Sequence, residues 1–462
     1  MCTPPSASLA KSSLGTSPVN GGGWFVGLFA ALLLALSPTA SFAAGPQVFQ
    51  FALQNGMQVV VIPDHRAPVV TQMIWFKTGG ADDPQGLSGL AHFFEHMMFR
   101  GTKQVPGDRF SQTLARNGGE DNAFTTHDYT AFYEQIAKDK LPMAMALEAD
   151  RMANLDLSDS NVATERQVVL EERRMRIDND PQALLGEQID AALFLSHPYG
   201  RPVIGWSEEV RRIGRTEAQD YYDHHYAPNN AILVVAGDVT ADAVRADAQA
   251  AYAKTPARAL MSHRFVAEPP RLAETRLAMT SAEAKVPLFM RSYRVPSYAE
   301  AAPGQAEALE VLAQLLGGDY SATLYRRLVE DRKLATAAGA SYDGYRRDAT
   351  GFTVYASPRP GVPFALVERT IDETLAAYLK PPNPKELARA KTQLVASNTY
   401  RRDSQYALAS AYGQALAIGL TAFDVNAWPD RVQAVTGDWV AKAAREFLIK
   451  RESVTATLAP GK

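Results

Sequence analysis

The sequence predicts an α+β protein made of two duplicated halves, each a mostly antiparallel sheet packed with helices. The length of 462 residues suits two or three domains, and β-branched runs alternate with helical patterns. A helix, a strand and a glycine also follow one another twice. Thr216 and Thr436, which begin the helices, are 220 residues apart, and Gly237 and Gly461, which close the strands, are 224 apart. Because this order is common, chance repetition is an alternative to duplication.

Residues 1–43 are predicted to be a secretory signal peptide. A 13-residue apolar run at 24–36 precedes Pro38 and the small residues of a cleavage site near Ala43. A membrane anchor is the alternative, but a spanning helix needs about 20 apolar residues. We therefore expect a periplasmic or secreted protein without a stable membrane anchor. The one cysteine, Cys2, lies in this segment, so metal ligands of the remaining chain must be His, Asp or Glu.

Composition and charge favour a globular protein that does not bind nucleic acid. Charged residues make up 21% and hydrophobic residues 46% of the chain, as in ordinary globular domains. The formal net charge is −3 and the isoelectric point is near 6.3. Such a mildly acidic protein is a poor candidate for contacts with a phosphate backbone.

Three segments follow the predicted signal peptide. A proline-rich stretch without periodicity separates two structured regions. We predict an N-terminal zinc-binding domain at 47–255, a linker at 256–275 and a homologous C-terminal domain at 276–462. Strands are predicted at 58–62, 69–76, 231–236 and 454–459, and helices at 88–98, 161–177, 216–226 and 436–448.

The helix predicted at 88–98 contains the sequence AHFFEHMMFRGT. His92 and His96 are four residues apart and Glu95 lies between them, so all three project from one side of a helix. Two imidazoles in this arrangement can bind one Zn²⁺, beside a carboxylate that takes a proton from the attacking water. The order H-x-x-E-H is the inverzincin signature. The alternative is a pair of buried histidines with ordinary hydrogen-bond partners.

The helix predicted at 161–177 offers a third ligand. We place two carboxylates on its apolar stripe, which a purely structural helix would avoid. Glu172 is predicted to bind the metal and Glu165 to orient the site as a supporting carboxylate. The alternative is that the glutamates pair with surface arginines, which suits Glu171 better than Glu172. The predicted stripe consists of Glu165, Val168, Val169, Glu172 and Met175, and the candidate arginines are Arg166, Arg173, Arg174 and Arg176.

Glu172 follows His96 by 76 residues. This motif and spacing resemble the pitrilysin/insulinase family of zinc peptidases, which includes the mitochondrial processing peptidases. Segments at 118–133, 197–206 and 226–237 also resemble this family. The resemblance implies duplicated α+β halves and a peptidase that acts on peptide substrates. The residues it implies are His92, His96 and Glu172 as ligands of one Zn²⁺, Glu95 as the residue that activates water, and Asn122 and Ala123 on an edge strand that binds an extended substrate.

Two positions in the C-terminal half depart from the family pattern. Active single-chain members carry an Arg and a Tyr there, which stabilise the oxyanion. Thr323 and Thr336 stand at the corresponding positions of this chain. Compensation by Tyr325, Arg326 or Arg327 would need a register shift. Because the family includes two-subunit forms, we expect a zinc-bearing subunit that works with a homologous partner, which supplies the Arg and Tyr, or a homodimer.

The resulting prediction is a zinc metalloendopeptidase that cleaves extended peptides or unfolded segments. A zinc-loaded but hydrolytically silent binding or scaffold subunit is one alternative, and a zinc hydrolase for non-peptide substrates is another. For Asn122, turn chemistry after Gly118 and Gly119 is as typical as substrate binding. The adjacent His224 and His225 are predicted to be a surface pair, because neighbouring helix side chains diverge by about 100°.

Overall fold

The computed structural model describes residues 45–461 except 262, 264 and 265, and in them two β-sheets and fifteen α-helices are joined by loops and by short 3₁₀ and π-helical turns. The predicted signal peptide at 1–43 and its cleavage site lie outside these residues. The strands are β1 Phe49–Ala52, β2 Gln58–Pro63, β3 Val69–Phe76, β4 Glu120–Thr125, β5 Thr130–Ala137, β6 Ala231–Gly237, β7 Thr275–Ser281, β8 Leu288–Val295, β9 Ala335–Tyr342, β10 Thr350–Pro358 and β11 Ser453–Pro460.

The helices occupy the segments between these strands. They are α1 Leu90–Met97, α2 Arg109–Arg116, α3 Leu141–Asn154, α4 Asp159–Arg173, α5 Pro181–Leu193, α6 Ser207–Val210, α7 Arg215–His225, α8 Ala241–Tyr252, α9 Gln305–Gly317, α10 Thr323–Tyr325, α11 Phe364–Ala377, α12 Pro384–Arg401, α13 Gln405–Ala417, α14 Ala422–Ala434 and α15 Gly437–Phe447. A π-helical turn, Arg174–Asp178, continues α4. Among the described residues, no helix has the length and apolar character needed to cross a membrane.

The two sheets share one topology. The first has the strand order β1-β2-β6-β3-β5-β4 and the second β7-β11-β8-β10-β9. In each sheet one pair is parallel, β2 with β6 and β7 with β11, and the remaining neighbours are antiparallel. Without β1, the sheets agree in order and direction. A chance repeat of helix, strand and glycine would not reproduce five strands in this way, so the predicted α+β class and duplication are confirmed.

Each half contributes a helix to the sheet of the other half. From the second half, α13 places Leu408 and Tyr412 against Trp75 of the first sheet. From the first half, α5 places Leu185 and Ile189 in one apolar cluster with β11. Burial of these faces joins the described halves into one unit. Helices on both sides of the predicted linker thus pack against the sheet on its other side. The domain boundaries at 256–275 stay a prediction.

The start of α1 is held in place by a buried carboxylate and a glycine. Asp83 accepts hydrogen bonds from the backbone N–H groups of Gly89, Leu90 and Ala91 at 2.8 to 3.2 Å, which satisfies donors that a helix start leaves free. Gly89 has a φ of 90°, and a Cβ there would lie 2.6 Å from the carbonyl oxygen of Ile204. These contacts determine the direction in which α1 leaves the loop, and therefore the position of its polar face.

Candidate metal centre

The polar face of α1 packs against α4. Phe93, Phe94 and Met97 are fully buried in the core of the first half, so His92 and His96 project from the other side of the helix. Helix α4 begins at Ser158, whose side chain accepts a hydrogen bond from the N–H of Asn161, as an N-cap does. The two helices thereby bring residues from distant parts of the sequence to one place.

The apolar stripe predicted on α4 is wrong in two of its members. The side chains that α4 buries are Val162, Glu165, Val169 and Arg173, and Glu172 lies at the margin of this face. Val168 is 40% exposed and Met175 is 60% exposed. The stripe is rotated toward Val162 because α4 packs through that side, and the change to π-helical geometry at Arg174 moves Met175 out of the helical register.

His92, His96 and Glu172 come together with metal-binding spacing. Glu172 Oε2 lies 3.0 Å from His96 Nε2 and 3.7 Å from His92 Nε2. One ligand atom from each residue lies within 4.8 Å of the other two. A tetrahedral Zn²⁺ site with bonds of about 2.1 Å keeps its ligand atoms about 3.4 Å apart, so the three donors fit such an ion. They are the neutral nitrogen and carboxylate oxygen donors that zinc accepts.

Unsatisfied buried atoms support this fit. Glu172 Oε2 is buried and makes no hydrogen bond within the described part of the chain, although His96 Nε2 is near. His92 Nδ1 is also buried without a hydrogen-bond partner there, but the nitrogen that faces Glu172 is Nε2, so only the Glu172 oxygen bears on the metal. A buried carboxylate oxygen without a hydrogen bond is costly unless a cation compensates it. The alternative of buried histidines with ordinary partners therefore does not describe His92.

Glu165 lies where it can orient His96. Its Oε1 is 2.9 Å from His96 Nδ1, and its Oε2 accepts a hydrogen bond from Arg100 Nε. A carboxylate on Nδ1 leaves Nε2 free to bind a metal and sets the direction of the ring. Sequence reasoning missed Arg100, although it follows His96 by four residues and therefore lies on the same face of the chain as it leaves α1.

Glu95 connects the motif with the edge strand β4. Thr125, the last residue of β4, donates a hydrogen bond to Glu95 Oε2 at 2.5 Å. Burial raises the pKa of Glu95 above its usual value, and the Thr125 hydrogen bond opposes this shift. A carboxylate in this setting is closer to the pKa that a general base needs near neutral pH.

Asn122 and Ala123 lie within β4, at one end of the first sheet. The described residues pair β4 with β5 alone, so one edge of β4 has no neighbouring strand. The N–H of Ala123 donates to Asn122 Oδ1 at 2.8 Å, which satisfies it in the absence of another strand. Asn122 is therefore a strand residue in this structure, and the turn alternative does not describe its position.

The charge states of the two histidines differ in the metal-free protein. Burial and the neighbouring His96 lower the pKa of His92 to about 4. Burial also acts against protonation of His96, but the carboxylates of Glu165 and Glu172 outweigh it and raise the pKa to about 9. Protonation and metal binding therefore compete at His96.

Two parts of the sequence match described protein families. Residues 58–206 match the family described as insulinase (peptidase family M16), and residues 212–394 match the domain described as peptidase M16 inactive domain. The uncharacterized zinc protease ML0855 of Mycobacterium leprae (strain TN) is 33% identical over 338 residues, which are 71% of this chain and 73% of the relative. The chain belongs to the peptidase M16 (insulinase) family.

Further relatives and solved structures extend the similarity over most of the chain. Zinc protease PqqE of Helicobacter pylori (strain ATCC 700392 / 26695) is 27% identical over 350 residues, 75% of this chain and 78% of the relative. The crystal structure of a protease from Helicobacter pylori has a TM-score of 0.84 at 25% identity and covers 90% of this chain and 100% of that one. The periplasmic protease PqqL from Escherichia coli shares the fold, with a TM-score of 0.77 at 20% identity, over 91% of this chain and 48% of PqqL.

The second half of this M16 chain has different side chains at the positions equivalent to the motif. Helices α1 and α9 both follow an N-cap glycine with positive φ, Gly89 and Gly304. Counted from these glycines, Glu307, Glu310 and Val311 stand where the first half has His92, Glu95 and His96. Arg431 contacts Glu307 at 2.9 Å, and Trp428 donates to Glu310 at 2.9 Å. Glu307 is thus paired with a guanidinium and Glu310 accepts a hydrogen bond from Trp428, and the residue equivalent to His96 is the apolar Val311, which cannot bind a metal.

Thr323 and Thr336, the positions at which the resemblance implies an Arg and a Tyr, are engaged within the second half. Thr323 Oγ1 lies 2.6 Å from Tyr378 Oη, and Thr336 donates to the Ser357 carbonyl at 3.3 Å. The candidates for compensation have other partners too. Tyr325 stacks edge-on with Tyr320 at 5.0 Å, Arg326 donates to Glu386 at 2.8 Å and Arg327 donates to Thr374 at 3.3 Å.

Two arginines near Glu172 behave differently. Arg174 pairs with Glu171 at 2.5 Å, as the surface alternative predicted for Glu171. Arg176 Nη1 lies 2.8 Å from Glu172 Oε1, so Glu172 contacts an arginine and both histidines. Metal binding and pairing with an arginine are alternatives in the sequence analysis, but the two oxygens of the Glu172 carboxylate allow both.

The prediction of a surface pair is wrong for His225. His224 is partly exposed, but His225 is buried and its Nδ1 lies 3.1 Å from Thr78 Oγ1. The ring also packs against Tyr221 at 4.3 Å. Adjacent helix residues point in different directions, and one of these directions faces the core of the first half. His225 is therefore a satisfied core residue.

Proposed function

We propose that this M16 chain is a zinc-dependent metalloendopeptidase that hydrolyses extended peptides or unfolded segments. One Zn²⁺ would be held by His92, His96 and Glu172, with Glu95 as the general base. The observation that carries the proposal is the convergence of three ligand atoms within 4.8 Å beside a buried glutamate that is hydrogen-bonded to an edge strand. The zinc protease names of the relatives agree with it.

The residues of the chain divide the work of peptide hydrolysis. Zinc, when bound, polarises a carbonyl and lowers the pKa of water. Glu95 accepts the proton of the attacking water and passes it to the leaving amine. Thr125 orients Glu95, and Glu165 orients His96. The free edge of β4 binds the substrate main chain as an added strand, which favours peptides over the non-peptide substrates of the third alternative.

A partner would complete the site. An oxyanion needs hydrogen-bond donors, and Thr323 and Thr336 are directed to Tyr378 and Ser357. We infer that this chain is the zinc-bearing subunit of a two-subunit peptidase, or of a homodimer, in which a homologous partner supplies the Arg and Tyr. The same observation favours a second candidate, a zinc-loaded scaffold subunit without hydrolytic activity of its own.

Export is part of the proposal. The apolar run at 24–36 and the small residues before Ala44 are typical of a cleaved signal peptide. A periplasmic or secreted location would give the enzyme access to peptides that arise outside the cytoplasm. Its test is the N-terminal sequence of the mature protein from the periplasmic fraction, which should begin close to Ala44.

Glu95→Gln tests the enzyme directly. The substitution removes the base and keeps the shape, so hydrolysis of an unstructured reporter peptide should fall at least about a hundredfold while zinc content stays unchanged. The matched control is Glu171→Gln, one residue from Glu172 but paired with Arg174 on the surface, which should change neither. The assay includes the homologous protein that co-purifies with the chain, and equal, measurable hydrolysis by Glu95→Gln and the unsubstituted chain would contradict the proposal.

The subunit role needs a second experiment. Activity of the purified chain is compared with and without the homologous protein that co-purifies with it. The two-subunit form predicts low activity alone and a large gain with the partner. Full activity alone that is unaffected by Thr323→Ala and Thr336→Ala would contradict it, and zinc loading without turnover in either state would favour the scaffold.

A further inference from the structure

The two oxygens of Glu172 have different neighbours. Oε2 lies near the imidazoles of His92 and His96, whereas Oε1 is 2.8 Å from Arg176 Nη1. A guanidinium in this position keeps one oxygen turned outward and leaves the other for the metal. Arg176 therefore lies directly outside the candidate metal centre, separated from it by a single carboxylate.

Most of the Arg176 side chain is open to solvent. It is 73% exposed, whereas Glu172 is 12% exposed. The residue lies in the π-helical turn Arg174–Asp178, and such turns occur often at functional sites. One guanidinium nitrogen contacts Glu172, so the other N–H groups remain for a ligand at the mouth of the site. Arg176 approaches the triad from the turn that follows α4, whereas Glu95 is hydrogen-bonded to β4 through Thr125.

Charge indicates the kind of ligand. When zinc is bound, its two positive charges exceed the single negative charge of Glu172, so the charge of Arg176 is not cancelled by its neighbour. A planar guanidinium binds carboxylates in a bidentate manner better than it binds other groups in peptides. A substrate carboxylate next to the scissile bond, on the α4 side, would meet these donors.

We propose that Arg176 is a specificity residue that selects peptides carrying a carboxylate beside the scissile bond. This inference rests on the proposed peptidase function and names its substrate class. The carboxylate is either an Asp or Glu side chain or the free C-terminus of a short peptide. Both have the same chemistry, and suitable peptides distinguish them.

Peptide binding to the zinc-loaded Glu95→Gln chain measures this selection without turnover. Three fluorescein-labelled heptapeptides of one unstructured sequence serve as probes: one with a central Asp and an amidated C-terminus, one with Asn and an amidated C-terminus, and one with Asn and a free C-terminus. Fluorescence anisotropy gives Kd for each peptide. Each is measured with Arg176, Arg176→Gln and Arg176→Met, and with Arg174→Met as the matched control.

At least one of the two peptides with a carboxylate should bind the chain that keeps Arg176 roughly ten- to hundredfold more tightly than the peptide with Asn and an amidated C-terminus. Arg176→Gln and Arg176→Met should reduce this difference to about twofold, whereas Arg174→Met should keep it. Binding without preference in the Arg176 chain, or an equal loss in Arg174→Met, would overturn the inference. Either result leaves the peptidase proposal intact, because that proposal depends on the comparison of Glu95→Gln with the unsubstituted chain.

Zinc content is measured on every variant. The amide of Arg176→Gln can still donate a hydrogen bond to Glu172, so this variant should keep its zinc while it loses the charge. Loss of carboxylate preference with full zinc occupancy supports the proposed role. If preference disappears only in variants that have also lost zinc, Arg176 acts through the orientation of Glu172 and the specificity role is wrong.

Discussion

Glu172 Oε2 lies 3.0 Å from His96 Nε2, although 76 residues separate the two in sequence. The contact forms because α1 and α4 pack against each other with their polar residues inward. The contact brings a carboxylate oxygen and an imidazole nitrogen, two donor types that zinc accepts, to the spacing of ligands on one ion. The zinc proposal, its base and its supporting residues all depend on this one relationship.

Glu165→Ala should weaken zinc binding without removing a ligand. Glu165 accepts from His96 Nδ1, and loss of such a partner lowers metal affinity about 10- to 100-fold. Competition with a chromogenic zinc chelator measures the change. Glu171→Ala is the control, since Glu171 is surface-exposed and pairs with Arg174. Unchanged affinity in Glu165→Ala would show that Glu165 does not orient the ring.

Thr125→Val should lower kcat with little effect on zinc content. The hydroxyl of Thr125 holds Glu95 Oε2, and a hydrogen bond to a charged group contributes about 1.5–3 kcal/mol. A decrease in kcat of about tenfold or more is expected from a misplaced base. Thr125→Ser keeps the hydroxyl and should restore most of the rate. If Val and Ser behave alike, the hydroxyl has no part in placing the base.

The sequence predicts the motif helix better than its partner helix. The spacing of His92, Glu95 and His96 follows from helical geometry alone, and α1 appears where expected. Periodicity alone was a weaker guide to Glu172, because the predicted stripe also included Val168 and Met175, which are exposed. The prediction of Glu172 as a metal ligand therefore depended on the family resemblance as well. A helix shows its periodicity in sequence, but the side that packs is decided by its neighbours.

Contacts between the halves were beyond sequence reasoning for a similar reason. Helix α13 carries Leu408 and Tyr412 on an apolar face, and nothing in that face shows that it covers the sheet of the other half. Arg100 and Arg176 were missed as parts of the site because an arginine near a helix end is usually solvated. By contrast, the duplication left a trace in the 220-residue offset, which the strand orders confirm.

A histidine from the predicted linker makes the stability depend on pH. His263 Nε2 lies 3.1 Å from Asp348 and its Nδ1 lies 3.2 Å from Asp82, and these carboxylates raise the pKa of His263 to about 9. Arg347 acts in the opposite direction, and His197 shares Asp348. The stabilisation is complete below the unfolded-state pKa of about 6.5 and is lost as the pH rises through about 9.

Urea unfolding at pH 6 and at pH 9.5 measures this contribution. Because the ring is partly exposed, we expect a loss of only about 1 kcal/mol between the two values. His263→Gln should be less stable at pH 6 and should lack this part of the pH dependence. An identical pH profile for the variant would show that the two contacts do not stabilise the protein.

Arg151→Met should destabilise the first half strongly. Arg151 is 2% exposed and lies between Glu134 and Glu148, which are 0% and 1% exposed. Removal of the cation leaves buried carboxylates without compensation, which costs about 3–5 kcal/mol. The control is Arg211→Met, whose pair with Glu208 is exposed and contributes less than about 1 kcal/mol. Similar unfolding free energies for the two variants would be inconsistent with the buried cluster.

The zinc content of the purified protein tests the central claim most directly. Inductively coupled plasma mass spectrometry should find about one zinc per chain and a large loss of it in both His92→Ala and Glu172→Gln, with the fold preserved by circular dichroism. Glu171→Gln, the matched control, should keep its zinc. A native chain without metal, or full zinc occupancy in both ligand variants, would contradict the claim that His92, His96 and Glu172 hold the ion together.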